Sequence, residues 1–142
     1  MSDIKSYQRL LAVQAIYEVS INKKNLNLSP KSIFLHIIEN SNLQKKLSDS
    51  NLSLAEDIFN GVALNLKKID LVLERSLKKK NKLQSFDKLL LSIFRSAIYE
   101  LVFKNEISKK IIISEYLLIS NRFFGDTEAI LMNGVLDNLQ EI

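Results

Sequence analysis

Cysteine and tryptophan are absent from the 142 residues, proline and histidine occur once each, and glycine occurs three times. Without cysteine there are no disulfides and no thiolate metal sites, which fits a reducing compartment such as the cytoplasm. A lone histidine, His36, leaves no multi-histidine zinc site, and its neighbours Ile33 and Ile37 place it at the edge of a core. Gly61, Gly125 and Gly134 stand too far apart to form a phosphate-cradling loop. No apolar run approaches the roughly 18 residues of a membrane-spanning helix. The opening stretch, interrupted by Asp3, Lys5, Gln8, Arg9 and Glu18, does not resemble a signal peptide. The net charge of +4 permits a polyanionic partner without demanding one.

What remains is an ordinary globular composition whose apolar residues recur with helical spacing almost throughout. The spacing predicts a first helix from about Asp3 to Ile21, with Leu11, Ala12, Ala15, Ile16 and Val19 as its buried stripe. Lys5, Gln8 and Arg9 fall on another face. Asn22 to Ser29 reads as a loop. Ser29-Pro30 opens the second helix, with Ser as N-cap and Pro in the first turn. Ser53-Leu54-Ala55-Glu56 matches a capping box, and the stripe from Ile58 to Leu73 continues as one helix or as two with a kink. Lys78, Lys79, Lys80 and Lys82 mark a helix end, where cations complement the negative pole. Ser85 caps a strongly apolar helix, Phe86 to Leu101, expected at the centre. Ser108 caps another running to Phe124. Gly125 breaks the chain, and Asp126 or Thr127 starts the last helix. With no strand pattern and no repeat, the expectation is an all-α fold: one compact bundle of six or seven helices, residues 1–142 forming a single domain.

Little in the chain supports catalysis or a cofactor. Asp57 with Asp70, or Glu100 with Glu115, are the conceivable carboxylate pairs, but no Glu-x-x-His spacing accompanies them. Lys5 and Arg9, one turn apart, suit a phosphate track and would serve equally as a solvated face. Arg122 beside Phe123 and Phe124 combines a cation with rings that can stack on bases. Because adjacent helical residues diverge by about 100°, at most one of the two rings faces the core squarely. Gly134, inside the last predicted helix, costs roughly 1 kcal/mol against alanine, so it should admit another backbone or interrupt the helix.

Five segments, in order along the chain, carry a resemblance to a known family. They are Arg9 followed by Ala12-Val13-Gln14-Ala15-Ile16-Tyr17; Gly61-Val62; Phe94-Arg95-Ser96-Ala97-Ile98-Tyr99-Glu100-Leu101; Ile113-Ser114-Glu115-Tyr116; and Leu131-Met132-Asn133-Gly134-Val135-Leu136-Asp137. Together they resemble the NusB family of RNA-binding antitermination factors. The resemblance implies two small helical sub-bundles packed together, no enzymatic activity, and binding of boxA-type single-stranded RNA in ribosomal RNA leader transcripts. The implied partners are NusE, a small-subunit ribosomal protein, and, through the complex, other Nus factors and RNA polymerase. Family members occur as monomers and as dimers. The RNA-contacting regions of the family fall here on Lys5, Arg9, Arg122, Phe123 and Phe124, and Tyr99 and Glu100 are candidates for the protein partner.

Some positions depart from the family pattern. Only Lys5 and Arg9 precede Gln14 where an arginine cluster is common, which implies weaker and less salt-dependent RNA binding by this subunit alone. Leu131 replaces an aromatic, Ser114 an asparagine, and Lys109-Lys110 stands where proline is common. Two other readings compete: the NusB-like domain of a ribosomal RNA methyltransferase, and a helical adaptor that binds only protein.

Overall fold

The computed structural model describes residues 3–22, 29–47, 51–77 and 83–139, which form eight α-helices and no strand. These are α1 (Ile4–Ile21), α2 (Pro30–Glu39), α3 (Gln44–Leu47), α4 (Ser53–Leu64), α5 (Leu66–Ser76), α6 (Lys88–Ile98), α7 (Lys109–Phe123) and α8 (Asp126–Asp137). The fold is all-α, as the spacing predicts. The count exceeds six or seven because α3 is too short for periodicity to reveal and the long third stripe is divided at Asn65. There the Asn65 side-chain amide donates to the Gly61 carbonyl at 2.8 Å and closes α4. The lysines at 78–80 and 82, and most of the loop expected after α1, lie outside the described residues.

Local chemistry explains several helix starts. Asp3 accepts from the Lys5 N–H, Ser29 from Ser32 with Pro30 in the first turn, and Ser108 from Ile111. Two expected caps are displaced. Ser85 does not cap α6; Asp87 does, accepting from the N–H groups of Leu89 and Leu90. Ser53 does not cap α4, because it is itself the first helical residue, with Leu52 in the cap position and its own N–H bonded to the Asn51 side chain. The N–H groups of Leu54 and Ala55 instead donate to the Gln8 side-chain oxygen, at 3.0 and 3.1 Å. The Gln8 amide in turn donates to the Asn51 carbonyl at 2.7 Å.

Helix α1 packs on α2, α3 and α4 on one side and on α6 on the other, while α5, α7 and α8 gather around α6. Two sub-bundles therefore meet along α1 and α6, and a continuous apolar core runs through both. Leu11, Phe34, Ile58, Ile69, Phe94, Ile98, Tyr116 and Leu136 are among its fully enclosed members. Helix α6 does not run on as α-helix to Leu101. It widens into a π-helical turn, Tyr99–Phe103. Tyr99 and Glu100 both point inward there, toward different neighbours, as the site below requires.

Two sequence expectations are overturned. Gly134 sits within uninterrupted α8 on an exposed face, and a Cβ placed there meets nothing within 4 Å. The close approach occurs at Gly61, whose Cβ would lie 2.1 Å from Cζ of Tyr99. His36 is exposed rather than at a core edge, because it points out from α2 beside Asn40.

Candidate functional site

The polar centre of the molecule is built on Arg9. Its Nε and Nη2 donate to the two Glu100 carboxylate oxygens at 2.8 and 3.1 Å, a bidentate pair, and Nη1 reaches Glu115 Oε1 at 3.2 Å. The hydroxyl of Tyr116 donates to Glu100 Oε2 at 2.6 Å, and that of Ser6 donates to Glu115 Oε1 at 2.5 Å. Arg9 is 3% exposed and Glu100 2%. The network joins α1, the π-helical turn and α7. Burial works against the Arg9 charge, but the bonds and charges of Glu100 outweigh it, so the guanidinium is held above its ordinary range. Burial and the Glu100 carboxylate push the Tyr116 hydroxyl well above an ordinary tyrosine.

Glu100 and Glu115, weighed from sequence as a carboxylate pair, are thus brought together, but as the seat of an arginine. Asp57 and Asp70 are kept apart. Asp70 forms a bidentate pair with Arg95 at 2.8 and 2.9 Å. Asp57 accepts from the Tyr99 hydroxyl at 2.7 Å and from Lys104. Burial would raise the Asp57 carboxyl, but those two hydrogen bonds and the Lys104 charge hold it below its ordinary value. Burial and the bond to Asp57 push Tyr99 up to about 12.

The structure separates the expected site residues into two groups. Lys5, Arg122 and Phe123 are exposed, and Phe124 is half-buried against the core. Of the two rings it is Phe123, 39% exposed, that meets solvent. Arg9 is not beside Lys5 on a surface; its charge is spent on Glu100 and Glu115 inside the protein. Tyr99 and Glu100 are likewise interior, so neither offers a side chain to a protein partner. Lys5 lines a small cleft with Leu54, Lys104, Glu106 and Ile112, near the first turn of α7. Arg122 and Phe123 lie at the far end of α7, about 15 Å further along its axis. Lys5 and Arg122 therefore stand toward opposite ends of α7.

Gln8 and Arg9 are the residues whose surroundings sequence reasoning misplaced, although a signal existed. Gln8 precedes Ala12, Ala15 and Val19 by 4, 7 and 11 positions, the period of the buried stripe itself. A polar residue on that period asks for an internal partner.

Among the described residues there is no group of three or more metal-ligating side chains, and no helix is long and apolar enough to cross a membrane. The architecture is that of a helical binding protein, its polar interior devoted to holding helices together and its uncommitted cations and one ring turned outward. The comparisons give the particular family. The NusB family model matches residues 6–141. The transcription antitermination protein NusB of Rhodopseudomonas palustris (strain HaA2) is 28% identical over 131 residues, covering 92% of this chain and 78% of the relative. That of Novosphingobium aromaticivorans is 29% identical over 129 residues, covering 91% and 87%. The solved structure of T. maritima NusB superposes with a TM-score of 0.73 over 96% of this chain and 90% of that one, at 23% identity, a likeness of fold. The chain belongs to the NusB family. It is by that membership a transcription antitermination factor and not an enzyme.

Proposed function

We propose that this protein binds boxA-type single-stranded RNA in ribosomal RNA leader transcripts, in a complex with the ribosomal protein NusE that joins other Nus factors on RNA polymerase. The observation that carries the reading is the exposure of Lys5, Arg122 and Phe123 toward the two ends of α7, within a family of antitermination factors. Lys5 and Arg122 supply phosphate contacts at either end of α7, and Phe123 offers a ring for an unstacked base. Arg9 acts indirectly: through Glu115 and Ser6 it fixes the first turn of α1 against α7 and so sets where Lys5 stands.

The test is titration of boxA RNA and a scrambled control into the complex with NusE, at several salt concentrations. Lys5→Ala and Arg122→Ala should each weaken binding and lower the salt slope by about one. Phe123→Ala should weaken it with little change of slope, because stacking releases no counterions. A complex with NusE that does not distinguish boxA from the control overturns the reading.

A further inference from the structure

Some of the described cations are held by carboxylates, and many others are exposed without one. Arg9, Arg95 and Lys104 are paired with carboxylates. Lys5, Lys45 and Lys46 pair with no carboxylate among the described residues. Lys5 stands in the first turn of α1, and Lys45 and Lys46 stand on α3, which packs against α1. Helix α3 is a single turn whose Leu47, with Leu43 just before it, is buried, which pins it against α1. Its Lys45 and Lys46 are thereby left in solvent beside the start of α1, and the Lys46 ammonium stands 5.6 Å from the centre of the Tyr7 ring.

The first turn of α1 completes the arrangement. Ser6 is buried against Glu115, so Lys5 and Tyr7, each about 100° from it, flank the turn on its two sides. Ile4, half exposed, lies outward between them. The one acidic group in the turn, Asp3, accepts from the Lys5 N–H and serves as helix cap. Passing around the tip of α1, a ligand meets a cation, an apolar side chain, a partly buried ring and two further cations. Alternating positive charge with ring surface is the chemistry that holds single-stranded nucleic acid: phosphates go to ammonium groups and bases to the ring.

We propose that single-stranded RNA crosses the tip of α1 from Lys5 to α3, with Tyr7 as the platform for a base and Lys45 and Lys46 as phosphate contacts. The proposal rests on the RNA reading above and adds a direction to it: from Lys5 the strand continues away from Arg122, onto a second element. Lys46 stands over the ring before RNA arrives; a stacking base displaces it, and its ammonium passes to the adjoining phosphate.

The experiment uses the full chain with NusE and a boxA oligoribonucleotide. Lys46→Ala should lower the salt slope by about one. Tyr7→Leu should weaken binding roughly 5- to 150-fold with little change of slope, and Tyr7→Phe should bind like the parent. Because the chain contains no tryptophan, Tyr7→Trp provides a single tryptophan, excited apart from the remaining tyrosines, whose emission RNA should quench; it decides the matter if Tyr7→Leu does not fold. Parent-like binding by Lys46→Ala together with unquenched Tyr7→Trp overturns the path across α3. If Lys5→Ala is weakened in the same series, the RNA reading survives that result. If Lys5→Ala and Arg122→Ala are also unchanged, it is the RNA reading that fails. A Lys46→Ala variant that loses affinity for NusE alone, with RNA binding intact, makes α3 a protein contact and likewise overturns the proposal.

Discussion

A methyl group added at Gly61 has nowhere to go, whereas one added at Gly134 meets open space. Gly61→Ala should therefore lower stability by on the order of 1–3 kcal/mol, since the Tyr99 ring that fills the site is held by Asp57 and stacked on Phe103. The gain in helix propensity offsets only part of that loss. Gly134→Ala should instead raise stability by up to about 1 kcal/mol, the ordinary difference between the two residues inside a helix. Urea denaturation of the two variants, one midpoint falling and the other rising, checks both. The sequence pointed to the wrong glycine for a physical reason: both residues sit in helices, and only the ring arriving from another element distinguishes them. Arg9 was misjudged in the same way. Its charge argues for solvent until Glu100 and Glu115 are brought to it from far along the chain.

Helix starts show the same division at the scale of the element. Ser29-Pro30 and Ser108 cap their helices with atoms a few residues away, so they could be read directly. Helix α4 borrows its cap from Gln8, more than 40 residues earlier, and the capping-box pattern at Ser53 pointed elsewhere. Gln8→Ala should cost about 1–3 kcal/mol, because it leaves two N–H groups without their acceptor in a part-buried place. The amide protons of Leu54 and Ala55 should then exchange with solvent ahead of the rest of α4. Uniform acceleration along the helix would show that Gln8 stabilises it only in general. The exposure of Lys5 and Arg122 was legible because a surface charge needs no partner, whereas the sequence left open which of Phe123 and Phe124 meets solvent. The π-helical turn was not: apolar periodicity carries no sign that a helix will widen so that consecutive residues, Tyr99 and Glu100, serve two different neighbours.

The two sub-bundles are joined across the whole molecule by hydrogen-bonded tyrosines and carboxylates as well as by apolar packing, and this predicts an alkaline limit. Tyr99 is pushed up to about 12 and Tyr116 is shifted in the same direction. An unfolded tyrosine releases its proton near pH 10. Between about pH 10 and 12 the folded chain therefore holds protons that the unfolded chain has lost, and stability falls as pH rises. Below that window the contribution is fully present. Tyr99→Phe should be less stable near neutrality, where the bond to Asp57 counts, yet should decline less steeply through the window; urea midpoints at a series of pH values would show it. The adjacency of Gln8 and Arg9 has a further consequence, in time rather than space. Gln8 serves residues 51, 54 and 55, whereas Arg9 serves residues 100 and 115. Helix α1 thus carries a side chain whose acceptors are made long after it. During synthesis α1 can settle onto α4 early, but its guanidinium waits in water until α7 has emerged, so the first turn of α1 takes its final place only after α7 has been made.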